Sequence, residues 1–294
     1  MTPVLPIEQL PAAAAADRAC PHCKGEGYVV EAQAELAVAR VCACVPACAR
    51  CGGLGQITAL VDGQVRSGRC ACQRVPDRVA RFNIARVPGR YAEATLATFM
   101  KGAMEWNEQK KQQAAAAAMT WLKGWRPGEG ARGLVLHGLV GRGKTHLLIA
   151  LIRELVFRHA VTVRFLEFSR LLATLREGYS EGRSDSPILR ELATVEVLAI
   201  DELGKGRLTD WELQVIDDVV SRRYNSSACT LGTTNFRPGV ATGAAPPNAA
   251  MVDQTPQTLG DRVGDRVYSR LREMADFVEV GGADCRELLR GPGR

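Results

Sequence analysis

No stretch of this 294-residue chain approaches the roughly 18–20 consecutive apolar residues that a membrane-spanning helix needs. The N-terminal stretch Leu5–Ala16 is rich in alanine and proline. It has neither a basic start nor an unbroken apolar run, so it does not read as a secretory signal. These two absences make the cytoplasm the expected compartment, where thiols stay reduced. A large imbalance of charge is missing too: 38 Lys and Arg against 32 Asp and Glu leave a formal +6. Such mild basicity permits contact with phosphate backbones without requiring it. Charged residues at 24% and hydrophobic residues at 46% are those of an ordinary globular chain. The length allows one α/β domain and a smaller module.

Cysteine, by contrast, is abundant, and eight of the ten lie between Cys20 and Cys72. They form two copies of one pattern. The first opens with Cys20-Pro-His-Cys23-Lys-Gly-Glu-Gly27 and closes with Cys42-Ala-Cys44. The second opens with Cys48-Ala-Arg-Cys51-Gly-Gly-Leu-Gly55 and closes with Cys70-Ala-Cys72, each cysteine 28 residues after its counterpart. In a reduced compartment such spacing points to metal: thiolates on two tight turns converge on one tetrahedral zinc ion. Two zinc sites of four thiolates are expected. Sequential pairing gives Cys20, Cys23, Cys42 and Cys44, then Cys48, Cys51, Cys70 and Cys72. Pairing interleaved between the copies is the alternative, because C-x-x-C-x-G-x-G resembles the zinc repeats of DnaJ-type chaperones. Four cysteines also hold iron–sulfur clusters, but a regular twofold repeat of knuckles favours zinc. Each site has four thiolates without His22, which is read as a spacer. Four protein ligands leave no open position for a substrate, so the sites read as structural. About fifty residues bury little core, and metal would supply the folding energy.

Beyond Cys72 the composition changes. Residues 73–100 read as a linking segment, and residues 101–125, rich in Ala, Lys, Gln and Met, as one helix ended by Pro127-Gly-Glu-Gly130. From Gly133 strand and helix alternate. Strands are expected at Leu134–His137, Val161–Phe165, Val195–Ile200, Cys229–Thr233 and Phe277–Val280. Helices are expected at Lys144–His159, Ser169–Tyr179, Ile188–Ala193, Trp211–Tyr224 and Arg262–Met274. That order implies an α/β fold, a parallel sheet flanked by helices. The expected divisions are a terminal segment 1–19, the zinc-binding module 20–74, a linker and helical segment 75–130, and the main domain 131–294.

Gly138-Leu-Val-Gly141-Arg142-Gly143-Lys144-Thr145 matches the P-loop pattern G-x-x-x-x-G-K-[ST], with a strand before it and a helix after it. Backbone N–H groups of such a loop turn toward phosphate oxygens, and the following helix aims its positive end at them. Lys144 is the expected partner of the β and γ phosphates of ATP, and the Thr145 hydroxyl a ligand of Mg²⁺. Fifty-seven residues after Lys144, the apolar run Val197–Ile200 ends in Asp201-Glu202. Strand ends of a parallel sheet meet on the edge that carries the P-loop. There Asp201 can hold Mg²⁺ through water, and Glu202 can polarise the water that attacks the γ-phosphate. Thr233-Thr-Asn235 closes the next strand, where the Asn235 amide could orient that water. Cys229 and Cys285 read as inert core residues.

These residues resemble the AAA+ class, and more narrowly the DnaC/IstB-like group of bacterial helicase loaders and transposition helper ATPases. The likeness covers about Ile84 to Arg286. It is carried by Val87-Pro-Gly-Arg-Tyr91 with Ala94-Thr-Leu96 and Phe99, the P-loop, and Phe165-Leu-Glu-Phe-Ser-Arg-Leu-Leu172. Leu198–Gly204, Thr233–Asn235, Asp265–Leu271 and Gly282-Ala-Asp-Cys-Arg286 complete it. It implies a sensor-1 role for Asn235 and a sensor-2 role for Arg286. It also implies that Arg270 is an arginine finger reaching a neighbouring subunit's γ-phosphate, so that turnover depends on self-association and is slow without it. Only eight residues follow Arg286, so no full helical lid is expected. Pro238–Thr258 reads as a Pro/Ala/Gly-rich insertion. The likeness further implies a helix, Ser169–Arg183, that meets single-stranded DNA, with Arg170, Arg176 and Arg183 beside Phe168 and Tyr179.

The leading expectation is therefore an ATP hydrolase of the helicase-loader type acting in DNA replication. It would assemble on single-stranded DNA and hold a replicative helicase through its zinc module. A transposition helper ATPase, or a zinc-bearing adaptor acting on protein clients, are the alternatives.

Overall fold

In the computed structural model, residues 4–105, 107–128, 130–180, 186–205, 209–240 and 258–285 are described, and they fall into two units, Met1–Ala92 and Glu93–Arg294. In the first unit each cysteine repeat builds an antiparallel hairpin between its opening and closing pairs. Strand β1 (Tyr28–Gln33) pairs with β2 (Leu36–Val41), from Tyr28 opposite Val41 to Gln33 opposite Leu36. Strand β3 (Gln56–Val61) pairs with β4 (Gln64–Arg69), from Gln56 opposite Arg69 to Val61 opposite Gln64. The second hairpin turns at Asp62-Gly63, both at positive φ (51° and 74°), the geometry that favours Asp-Gly in two-residue turns.

The expected linker starts instead with helix α1 (Arg74–Ala85). Pro76 lies in its first turn, where a missing N–H costs no helical bond. Helix α1 packs on β2: the Asn83 side chain accepts from Ala39 N–H at 2.8 Å and donates to Ala39 O at 3.0 Å. Phe82 and Ala85 of α1, and Ala37 and Ala39 of β2, are buried.

The single helix expected over residues 101–125 is two helices, α2 (Leu96–Glu105) and α3 (Gln109–Gly124). Asn107 takes a left-handed conformation (φ 51°) that a continuous helix does not allow. The second unit then lays down β5 (Gly133–His137), α4 (Lys144–His159), β6 (Val163–Glu167), α5 (Phe168–Ser180) and α6 (Ser186–Thr194). Next come β7 (Val197–Asp201), α7 (Asp210–Asn225), β8 (Cys229–Thr234), α8 (Leu259–Val263), α9 (Asp265–Met274) and β9 (Ala275–Glu279). The sequence places these strands and helices within a few residues. The helix expected over Arg262–Met274 is broken by Gly264, which sits at φ 85° between α8 and α9.

The sheet is wholly parallel, in the order β6-β7-β8-β5-β9. Helix α4 is buried along most of its surface, with Leu147–Ile152, Leu155 and Val156 inaccessible, and the Glu154–Arg158 ion pair on its remaining face. A second core gathers Phe168, Leu172, Leu175, Leu198, Ile200, Val215, Ile216, Val219 and Leu271 between sheet and helices. Phe168 is thus core and is not available to a nucleic-acid base. Arg176 pairs with Glu212 at 2.5 Å, Arg170 is exposed, and Arg183 and the Tyr179 side chain lie outside the described residues. So do residues 241–257 of the insertion; its ends meet where Leu259 N–H donates to Arg237 O at 2.9 Å. At the amino ends of the strands, Arg223 is fully buried, bonded to Leu192 O, Val195 O, Cys229 O and the Thr230 hydroxyl. Burial pulls its guanidinium down to about 10.

Candidate nucleotide site

The loop between β5 and α4 curls because Gly138, Gly141 and Gly143 all take positive φ. At Gly143 (φ 91°) a Cβ would also come within 3.0 Å of the Phe99 ring. The Lys144 ammonium is held inside the loop, donating to Gly138 O at 2.8 Å and Leu139 O at 2.7 Å. Arg142 is half-buried beside it. The Thr145 hydroxyl lies 3.0 Å and 3.1 Å from the two Asp201 carboxylate oxygens. The sheet thereby joins two sequence motifs 56 residues apart, because β7 and β5 both end on this edge with only β8 between them.

Strand β8 supplies a residue that the sequence did not single out. The Thr233 hydroxyl donates to Asp201 Oδ1 at 2.5 Å and accepts from Glu202 N–H at 3.0 Å, so one side chain positions both acids. The run Thr233-Thr-Asn235 drew attention to the amide instead; Asn235 lies half-buried just beyond β8. Burial pushes Asp201 above the ordinary carboxylate range, opposed by the bonds from Thr233 and Thr145. Glu202 turns out of the strand with φ 59° and pairs with Lys205 at 2.5 Å.

The segment after β9 closes over the loop. Cys285 N–H donates to Gly141 O at 2.9 Å, and the Asp284 carboxylate packs directly on Gly141, leaving no room for a Cβ there. Helix α3 holds this segment through Lys111 Nζ to Ala283 O at 2.8 Å, and Ala283 N–H donates to Glu108 at 2.9 Å just before the helix. Cys285 therefore borders the P-loop rather than the core, whereas Cys229 is buried and its thiol is pushed up to about 11 by burial. On the other flank His146 Nε2 lies 3.0 Å from the Thr98 hydroxyl, which fixes the start of α2 against α4. Loop N–H groups, a lysine, and a hydroxyl–carboxylate pair form a donor set suited to a triphosphate with a divalent cation.

Arg270 is elsewhere. It lies on α9, one-fifth exposed, and donates to Asp217 at 2.8 Å and to the Ser221 hydroxyl at 2.5 Å, both on α7. Arg286 is outside the described residues.

In the first unit the cysteines gather sequentially: Cys20, Cys23, Cys42 and Cys44 form one group, and Cys48, Cys51, Cys70 and Cys72 the other, each with sulfurs within 4.8 Å. The pairs Cys20–Cys42, Cys23–Cys44, Cys48–Cys70 and Cys51–Cys72 lie 3.5 to 3.8 Å apart, sulfur to sulfur. A tetrahedron with 2.3 Å zinc–sulfur bonds has edges of about 3.8 Å. Backbone N–H groups of Ala14 and Gly55 point at Cys48 and Cys51 sulfurs at 3.3 Å. The donor set fits zinc, and His22 is exposed outside both groups. Among the described residues no helix is long and apolar enough to cross a membrane.

Five parallel strands with a P-loop after the second-from-edge strand, and an Asp-Glu pair two strands away, define an ATP-binding protein of the AAA+ class. Residues 74–239 match the sequence model of the IstB-like ATP binding protein family, and the chain belongs to that family. It is 27% identical over 134 residues to the replicative helicase loader DnaC of Escherichia coli, covering 45% of this chain and 49% of the relative. An insertion-sequence ATP-binding protein of Mycobacterium tuberculosis is 31% identical over 122 residues, 42% of this chain and 45% of the relative. The crystal structure of the DnaC helicase loader superposes with a TM-score of 0.52 at 26% identity, covering 65% of this chain and 99% of that one. The chain spans about half the length of these curated relatives.

Proposed function

We propose that this chain is a helicase-loader-type ATPase of DNA replication, acting in the cytoplasm on single-stranded DNA and on a replicative helicase. The observation that carries the ATPase reading is the convergence of Lys144, Thr145, Asp201 and Glu202 on one sheet edge. The loader reading draws on the likeness to DnaC in sequence and fold.

Bound Mg²⁺ would neutralise charge developing on the transferred phosphoryl group. Gly138, Gly141, Arg142 and Gly143 would present backbone N–H groups to the phosphates, and Lys144 would exchange its two carbonyl partners for phosphate oxygens. Thr145 and Asp201 would hold the ion. Glu202, freed from Lys205, would orient the attacking water together with Asn235. Arg270, and Arg286 from its own chain, complete the set of cationic contacts. Arg270 would act on a neighbouring chain, and its ties to Asp217 and Ser221 have to break first. Turnover by the isolated chain is therefore low. The two cysteine groups would hold one Zn²⁺ each as structural staples, and that unit would contact the helicase.

The insertion-sequence relative favours a second reading, a transposition helper that assembles on duplex DNA. The deciding experiment is ATP hydrolysis with single-stranded or duplex DNA for wild type, Glu202→Gln, Arg270→Ala and their mixture. Stimulation by single strands, abolished in each variant and partly restored by mixing, is expected. Stimulation by duplex alone selects the helper reading. Turnover indifferent to both DNAs, with Arg270→Ala silent, removes both and leaves an adaptor for protein clients.

A further inference from the structure

Glu202 opens a turn that is anchored at every residue. After β7 the chain bends through Glu202 (φ 59°) and Gly204 (φ 78°), and Lys205 N–H donates to Glu202 O at 3.1 Å. Thr233 fixes the start of this turn. Its hydroxyl takes the Glu202 N–H at 3.0 Å, and its carbonyl takes the Leu203 N–H at 2.8 Å. The Thr234 hydroxyl donates to Leu203 O at 2.9 Å, and Arg262 Nε of α8 donates to Gly204 O at 2.9 Å. The backbone thus sets Lys205 beside Glu202 before either side chain is placed.

The side chains close on one another. Lys205 Nζ bonds Glu202 Oε2 at 2.5 Å, with 50% of the lysine side chain and 28% of the glutamate side chain accessible. Glu167, the last residue of β6, stands opposite Asp201 in the parallel register, so carboxyl groups end two neighbouring strands. The bond to Glu202, together with the charges of Glu202, Glu167 and Asp201, raises Lys205 above the ordinary lysine range and keeps it an ammonium. An adjacent cation favours the charged form of a carboxylate and so weakens it as a base. The bond also turns Glu202 away from a water it would have to orient.

We infer that Lys205 is a positioning residue that restrains Glu202, holding the general base on the turn in the resting chain, so that turnover requires the pair to part. On the ATPase reading, which this restraint presupposes, it adds to Arg270 a second reason for low turnover by the isolated chain. An ion pair this open to water shifts an equilibrium only a few-fold. Lys205 therefore sets the basal rate without abolishing it.

The test is steady-state hydrolysis of Mg²⁺-ATP by the full zinc-replete chain and its variants, with nucleotide affinity measured by a fluorescent ATP analogue. Lys205→Met is expected to raise kcat about two- to fivefold, the span of an exposed ion pair, while nucleotide affinity stays within about twofold. Lys205→Gln should repeat the effect, and Lys205→Arg, which keeps the pair, should stay at the wild-type rate. Salt gives a readout that a merely structural lysine would not move. Between about 50 and about 500 mM KCl, screening should carry the wild-type kcat toward the Lys205→Met value, while the variant shows no rise. Lys205→Met/Glu202→Gln should be as slow as Glu202→Gln, because the lysine acts through the glutamate. The restraint is refuted if Lys205→Met and Lys205→Gln keep or lower the wild-type kcat, or if they gain only through KM. Glu202→Gln separates the two failures. If it hydrolyses ATP as fast as wild type, the ATPase reading falls; if it is inactive while the lysine variants match wild type, the restraint alone falls.

Discussion

Asp201 shows how one residue's environment couples stability to chemistry. Its carboxylate is buried and bonded by two threonine hydroxyls, and burial outweighs those bonds, raising its pKa. A folded pKa above the unfolded one means that the native state binds more protons between the two values. The protonated form thus favours folding at low pH, and that contribution is lost as pH rises through the folded pKa. Asp201→Asn should therefore match or exceed wild type in urea stability at pH 7, while Mg²⁺-dependent nucleotide affinity falls by at least tenfold in a fluorescent-nucleotide titration. Thr233→Val should do the reverse to the acid. Removing a donor from a buried carboxylate costs about 1.5–3 kcal/mol, and the pH at which Mg²⁺-nucleotide binding is half lost should move upward. Glu202→Gln should keep nucleotide affinity within about threefold and reduce kcat by about 10²–10⁴, the usual share of a positioned general base. That Lys144, Thr145, Asp201 and Glu202 come to one sheet edge was legible because a P-loop and an acid-tipped strand are local patterns. Thr233 was not, since a threonine in a strand carries no mark of what the neighbouring strand presents to it.

At the level of elements, the cysteine hairpins depend on their closing groups. Two strands of six residues with one open face bury too little to persist alone in water, so metal should decide whether they form. Cys48→Ser is expected to lower bound zinc from about two ions per chain to about one, measured after thiol modification with a chromogenic chelator. The surviving ion should stay with Cys20, Cys23, Cys42 and Cys44, because the sulfurs group within a copy and not between copies. Cys23→Ser should give the same stoichiometry while also loosening α1, whose Asn83 is bonded to the backbone of the first hairpin. The periodicity of residues 101–125 predicted one helix and the structure has two, since helix propensity does not register that Ala283 N–H takes the Glu108 carboxylate.

For the whole molecule, the prediction concerns assembly. Arg270 on α9 is tied to α7 of its own chain, more than a sequence motif indicates. If it crosses to a neighbour, Asp217→Asn should raise turnover at low protein concentration by freeing the guanidinium, and Arg270→Ala should lower assembled turnover by about 10³-fold or more. Steady-state ATP hydrolysis against protein concentration measures both; a flat response in either variant contradicts the trans-acting role.

By itself the sequence determined the chemistry available: two copies of a four-cysteine pattern, a P-loop in its strand–helix setting, an acid pair at a strand end, and the α/β alternation that brings the P-loop and the acid pair to one edge. These are short-range patterns set by backbone geometry and hydrophobic period, which a linear chain displays openly. Only the tertiary structure decided which cysteines share a group, that Thr233 bridges both acids, that Asp284 and Cys285 close on the P-loop, and that Arg270 rests on Asp217. It also laid helix α1 on the hairpin of the first cysteine repeat. Each of these is a contact between distant segments, and the energy of such a contact belongs to the partner's position as much as to the residue itself.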